Sequence, residues 1–193
     1  MTRAGGTRAA LLDAALAVFN ERTYGDTPVA EVAERAGVSV GTLYRYFPSK
    51  EALGNAVYRL WKQRLGERLA AERSADASYA STFAAMFRTF VGFAADHPEA
   101  FAFLELQQHE GYLDVDSRTA STSIDQTAVD FVSEGQKAGE IRAGDPQMLV
   151  ALVYGALVGL VKARRAGLTL TDEDLAAAQA ATWALLDVRS QAE

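Results

Sequence analysis

Apolar residues recur every three or four positions along almost the whole chain, and nowhere does the sustained alternation of a half-buried strand appear. Leu12, Ala15, Leu16 and Phe19 mark one face of a first helix, entered at Thr7 and ending near the Tyr24–Gly25 turn. Thr27 before Pro28 reads as the cap and first turn of a short second helix carrying Val32, Ala33 and Ala36, which Gly37 stops. Ser39 caps a third helix of about two turns, because Pro48 forbids its continuation. Ser49 restarts the chain as a long fourth helix with Leu53, Val57, Leu60, Leu65 and Leu69 along one stripe, predicted over 49–73. The polar stretch from Arg73 to Ser78 then breaks it.

The same period continues beyond the break. Phe83, Phe87, Phe90 and Ala94 outline one helix, and Pro98 opens another through Phe101, Leu104 and Leu106. Ile124, Phe131 and Val132 lie on the next. Asp145 with Pro146 opens a very apolar helix to about Arg165, and Thr171 with Asp172, Glu173 and Asp174 opens a last one to about Val188, its acids complementing the helix dipole. The expectation is an all-α chain of about nine helices, with a head over 1–50 and a body over 51–193.

Composition narrows the function classes. The 193 residues are 49% hydrophobic, enough for a substantial core, and hold no cysteine, which removes disulfides, thiolate metal sites and a cysteine nucleophile. The pattern around the first helix carries no export signal. The most apolar run, Met148 to Val161, is about 14 residues against the roughly 20 a membrane span needs, so a buried helix and a cytoplasmic protein away from membranes are expected. Net charge is −6. It is unevenly placed: the chain up to Lys62 sums to +2 and the remainder to −8, a mildly cationic head on an acidic body.

The candidate chemistry sits in the head. Two short helices joined by a glycine turn have the spacing of a helix-turn-helix. In that geometry Val32, Ala33, Ala36, Val38, Leu43 and Phe47 face inward, while Ser39, Val40, Gly41, Thr42, Arg45 and Tyr46 face outward. Such a surface suits a DNA major groove, where donors and flat apolar edges read bases. Tyr44 and Lys50 flank it as phosphate contacts, and Thr27 and Ser49 stand at helix starts whose N–H groups attract anions.

The stretch from Ala36 to Leu53, "AGVSVGTLYRYFPSKEAL", resembles the "AGVSxGTLYxYFxxKExL" signature of the TetR family of bacterial transcriptional regulators and matches every fixed position. The body resembles the family less strictly, in helix number, in its "EGQKAGEIRAGDP" element and in its apolar last two helices. The resemblance implies a nine-helix subunit: three small helices that read DNA, a connecting fourth and five that bind a ligand and dimerise. It implies phosphate contacts by Tyr44 and Lys50, and Thr42 near the backbone or a base. It implies operator-dependent roles for Val40, Gly41, Arg45 and Tyr46. Arg3 and Arg8, on an arm made flexible by Gly5 and Gly6, extend the set toward a neighbouring groove.

The resemblance thus implies a homodimer on a palindromic double-stranded operator, with two half-sites about one helical turn apart. The expected dimer surface comprises Leu152, Gly155, Ala156, Gly159, Leu160 and Ala163 on the penultimate helix. Leu175, Ala178, Thr182, Leu185 and Leu186 supply the last, together forming a four-helix bundle. Phe83, Phe87, Phe90, Phe101, Phe103, Tyr112, Phe131 and Tyr154 are candidates for a pocket holding a small apolar or aromatic effector that releases the repressor. Two other readings compete. Glu105, His109 and Glu110 with Asp114 outline a metal site, since Glu105 and His109 are four apart on one helical face, but a solvated, acid-rich helix end explains them better, so no metal, cofactor or catalytic group is expected. A helical adaptor accounts for the acidic body but not for Thr42, Tyr44 and Lys50 at their spacing.

Overall fold

The computed structural model describes residues 3–74 and 76–191, with side chains over 5–74 and 76–189. Among the described residues there are nine α-helices: α1 Arg3–Asp26, α2 Val29–Arg35, α3 Val40–Tyr46, α4 Lys50–Ala71, α5 Tyr79–Asp96, α6 Pro98–Leu106, α7 Val115–Lys137, α8 Pro146–Arg165 and α9 Asp172–Ala184. A 3-10 turn, Val188–Gln191, comes after α9. No strand occurs among these residues; the one β-type pairing described is an isolated bridge between Ile141 and Asp187.

The chain packs as two compact units, Met1–Arg64 with His97–Ser121, and Leu65–Asp96 with Thr122–Glu193. This differs from a simple division near residue 50, because α6 and the segment after it join the head. In the first unit α1 packs on α2 and on α6, and α2 on α3. Leu11, Val18, Phe19, Val32, Leu43, Leu53 and Val57 are wholly enclosed. Phe103 of α6 stacks on Phe19 of α1 with ring centroids 5.6 Å apart.

Helix α1 begins at Arg3, so Gly5 and Gly6 are helical and Thr7 lies within the helix instead of capping it. Its regular course ends at Thr23, whose φ of 65° and ψ of 158° fall in a region nearly reserved for glycine. The Gly37 turn joins α2 to α3 through a Schellman arrangement: Val38 N–H bonds Ala33 O at 2.9 Å and Gly37 N–H bonds Glu34 O at 3.0 Å. With φ of 68°, position 37 needs a residue without a Cβ.

In the second unit α5 packs on α8 and α9, and α8 on α9. Phe83, Phe87, Phe90 and Phe93 of α5 are buried, each adding roughly 1.5–3 kcal/mol by leaving water. Asp145 caps α8 by accepting from Gln147 and Met148 N–H, with Pro146 in the first turn. Thr171 and Asp174 form a capping box on α9. Gln136 Nε2 donates to the carbonyls of Arg142 and Gly144, tying down the "EGQKAGEIRAGDP" element.

Helix α8 departs from the expectation of a buried helix. Only Leu149, Leu157 and Val161 are buried. Its 20 residues make it long and apolar enough, by length and composition alone, to cross a membrane.

Candidate nucleic-acid interface

Ser39 sets the start of α3: its Oγ accepts from Thr42 N–H at 3.1 Å and lies 2.9 Å from Thr42 Oγ1. Leu43 and Phe47 turn inward, as the pattern requires, and anchor the helix in the first unit's core. The opposite side is open. Val40 is 39% and Tyr44 47% exposed, and Gly41 and Arg45 are exposed beside them. Thr42 and Tyr46 are half-buried. Ser49 caps α4 by accepting from Ala52 N–H at 3.1 Å.

Lys50 opens α4 and is tethered to the end of α1. Its Nζ donates to Gly25 O at 2.8 Å and lies 4.9 Å from the centre of the Tyr24 ring. An ammonium has three N–H donors, so one on Gly25 leaves others to serve a phosphate.

One expected DNA contact is displaced. Thr27 is only 4% exposed, with its hydroxyl donating to Thr23 O at 2.7 Å and its N–H directed to Tyr24 O. The residue capping α2 is Pro28, without a side-chain bond. Thr27 therefore closes the strained turn at Thr23 and does not face outward. Arg8 is exposed on α1, with its guanidinium 5.4 Å from the centre of the Phe47 ring. The side chain of Arg3 lies outside the described residues.

The expected aromatic pocket set is divided between the units. Phe101, Phe103 and Tyr112 belong to the first, where Phe103 fills the space between Phe19 and His109 and Tyr112 stacks on Tyr24 with centroids 3.7 Å apart. They are structural members of the head. Phe83, Phe87, Phe90, Phe131 and Tyr154 belong to the second; Phe90 meets Tyr154 edge-on at 6.2 Å, and Tyr154 is partly exposed. Phe131 also lines a half-open cleft of about 340 Å³ with Arg73, Ser74, Ala77, Tyr79, Thr82 and Glu134. There Arg73 is paired with Glu134.

Glu105 and His109, read above as a solvated helix end in preference to metal ligands, are instead enclosed and engaged within the head. Glu105 Oε1 accepts from Lys62 Nζ at 2.9 Å, with both side chains below 10% exposed. His109 bonds Phe103 O through Nε2 and Tyr112 Oη through Nδ1. A carbonyl only accepts, so Nε2 carries the proton and Nδ1 accepts from the tyrosine. Desolvation, joined by the Lys62 charge, holds this imidazole below its ordinary pKa despite the bond to Phe103.

On the expected dimer surface, Leu152 is half exposed and Gly155, Ala156 and Gly159 are exposed, while Leu160, Ala163, Leu175, Ala178 and Leu185 are half-buried. Thr182 and Leu186 are buried in their own subunit. Thr182 Oγ1 donates to Ala178 O, and Leu186 O accepts from Arg142 N–H. These two fill the core and are not part of an outward face.

Residues 11–57 match the family model "Bacterial regulatory proteins, tetR family", and residues 59–188 match "Tetracyclin repressor-like, C-terminal domain". The chain belongs to the TetR family. It is a TetR-family transcriptional regulator with an N-terminal helix-turn-helix and a helical C-terminal domain. It is 28% identical over 153 residues to the fatty acid metabolism regulator protein of Bacillus subtilis, covering 76% of this chain and 77% of that one. It is 31% identical over 152 residues to the HTH-type transcriptional regulator RutR of Escherichia coli K12, covering 76% and 70%. Among solved structures, a TetR family transcription regulator from Marinobacter aquaeolei superposes with a TM-score of 0.85 at 21% identity, covering 96% of this chain and 97% of that one. The fatty acid degradation regulator FadR of Bacillus halodurans gives 0.77 at 18%, covering 93% and 94%.

Proposed function

We propose that this TetR-family protein is a cytoplasmic repressor that binds a palindromic operator as a homodimer and is released by a small apolar effector. The observation that carries the DNA reading is the capped α3, which buries Leu43 and holds Val40, Gly41, Tyr44 and Arg45 outward. Arg45 and Tyr46 read base edges, Thr42 lies near the backbone, and Tyr44 and Lys50 hold phosphates.

The dimer is supported by the uncovered face of α8, where Leu152, Gly155, Ala156 and Gly159 lack cover from their own chain. Small residues there admit a second helix closely, and α9 completes a four-helix bundle through Leu175, Ala178 and Leu185. The effector site belongs to the second unit, with its phenylalanine-rich α5 and Phe131. Two relatives named as fatty acid regulators favour a fatty acid as the effector class.

Selection of duplexes from a random-sequence library tests the reading. Enrichment of an inverted repeat, bound by a species of twice the subunit mass in sedimentation and released by long-chain fatty acids, is expected. No enrichment would remove the DNA function. A monomer, or a protein that partitions with membranes, would remove the dimer. Release by polar metabolites alone would overturn the effector class.

A further inference from the structure

We propose that Tyr112, in the segment between α6 and α7, is a positioning residue for DNA binding that acts through Tyr24 on Lys50. This rests on the reading of Lys50 as a phosphate contact.

Lys50 and Gly54 are four residues apart on α4 and so share one face. Gly54 is a seat for two rings: a Cβ there would fall 2.8 Å from Tyr24 Cε2 and 2.9 Å from Tyr112 Cε2, closer than packed atoms approach. Its missing side chain lets the two tyrosines stack against α4 one turn beyond the lysine. The stack is close and nearly parallel, with centroids 3.7 Å apart and planes 16° from parallel.

Tyr24 in turn carries Lys50. The ammonium lies 4.9 Å from its ring centre, within cation–π range, while bonding the carbonyl of the adjacent Gly25. Moving Tyr24 therefore moves both partners that orient the cation. The Tyr24 hydroxyl is buried without a hydrogen-bond partner among the described residues, so the ring face, not the polar tip, is what this position uses.

Tyr112 is clamped at both ends. Asn55 Nδ2 donates to Tyr112 O at 2.9 Å and Asn55 Oδ1 accepts from Asp114 N–H at 2.8 Å. The phenol bonds His109 Nδ1 at 2.6 Å, and the other ring nitrogen reaches back to Phe103 of α6. A residue remote in sequence from the helix-turn-helix thus sets where its phosphate-binding cation sits.

The test measures binding to a duplex selected on the wild-type protein, as a function of KCl, for Lys50→Ala, Tyr112→Ala, the double variant and Tyr112→Phe. Losing one phosphate contact per subunit, two in the dimer, lowers the slope of log affinity against log salt by roughly 1.8. Tyr112→Ala should reproduce the affinity loss and the lowered slope of Lys50→Ala, and the double variant should be no weaker than Lys50→Ala alone. Tyr112→Phe, which keeps the ring, should rescue both readouts. Should Tyr112→Ala fail to fold, Tyr112→Leu, which keeps apolar bulk without a flat face, takes its place with the same expectation. Additive losses, or a wild-type slope in Tyr112→Ala or its substitute Tyr112→Leu, overturn the proposal while leaving the regulator reading intact. A wild-type protein that enriches no duplex overturns that reading and this proposal together.

Discussion

Replacing Glu105 by Gln would keep the shape of the buried pair between α4 and α6 while deleting its negative charge. Lys62 Nζ and Glu105 Oε1 are 2.9 Å apart, with side chains 9% and 7% exposed. At an effective dielectric constant of about 20 the attraction is roughly 6 kcal/mol, but withdrawing both ions from water offsets much of it. The pair's net worth is therefore small, whereas its rupture is not. An ammonium kept in the same enclosure without its carboxylate costs about 3–5 kcal/mol; the Tyr58 ring, 5.8 Å from the ammonium, is present before and after the substitution and cancels in the difference. Glu105→Gln should thus lower unfolding free energy by about 3–5 kcal/mol. Lys62→Met combined with Glu105→Leu removes both charges at similar volume and should stay within about 1 kcal/mol of wild type. Urea unfolding at fixed protein concentration, followed by Trp61 fluorescence in a Trp183→Phe background, reports on the unit that contains the pair. If Glu105→Gln is destabilised by less than about 1 kcal/mol, or the double variant falls as far as the single one, the description of a buried charge pair is wrong.

Three further outcomes are expected. Arg45→Ala should change which duplexes are enriched in a selection, whereas Lys50→Ala should weaken all of them alike; equal losses on every sequence from Arg45→Ala would exclude it from base reading. Thr23→Gly should raise the melting temperature: relief of a strained φ/ψ is worth about 1–3 kcal/mol and exceeds the roughly 0.5–1 kcal/mol of added chain entropy, so a lower melting temperature would contradict the strain. Because burial depresses the His109 pKa below 6.5, the fold favours the neutral ring. The associated stability is complete above pH 6.5 and declines as pH falls through the lower folded value. Melting temperature against pH should show that decline in the wild type and lose it in His109→Gln, and parallel curves would refute the assignment.

The head was legible because several local rules coincide there. Gly37 supplies the one left-handed residue the α2–α3 turn needs, Ser39 caps α3, Ser49 caps α4, and Pro48 separates the two helices. The caps at Asp145 and Thr171 were readable for the same reason. Side-chain direction at the margins was not. Thr27 has the identity of an N-cap, yet the turn imposed by Thr23 rotates its hydroxyl inward. Periodicity reveals that Phe101, Phe103, Thr182 and Leu186 face something apolar, but not which neighbour supplies it. That depends on contacts distant in sequence, such as Phe103 on Phe19 and Leu186 O with Arg142. Lys62 gave no signal of burial, because its partner lies 43 positions away.

The chain's return to the head through α6 bears on how this regulator can be taken apart. Gln107 Nε2 bonds Phe19 O, Asn20 Nδ2 bonds Glu99 O, and Asn55 grips the backbone on either side of Leu113. A fragment ending soon after the signature would lack the lid over Phe19 and Gly54. Its helix-turn-helix is no portable cassette: chimaeras that graft it onto a foreign C-terminal domain must carry residues 97–121 along, or supply a substitute for them.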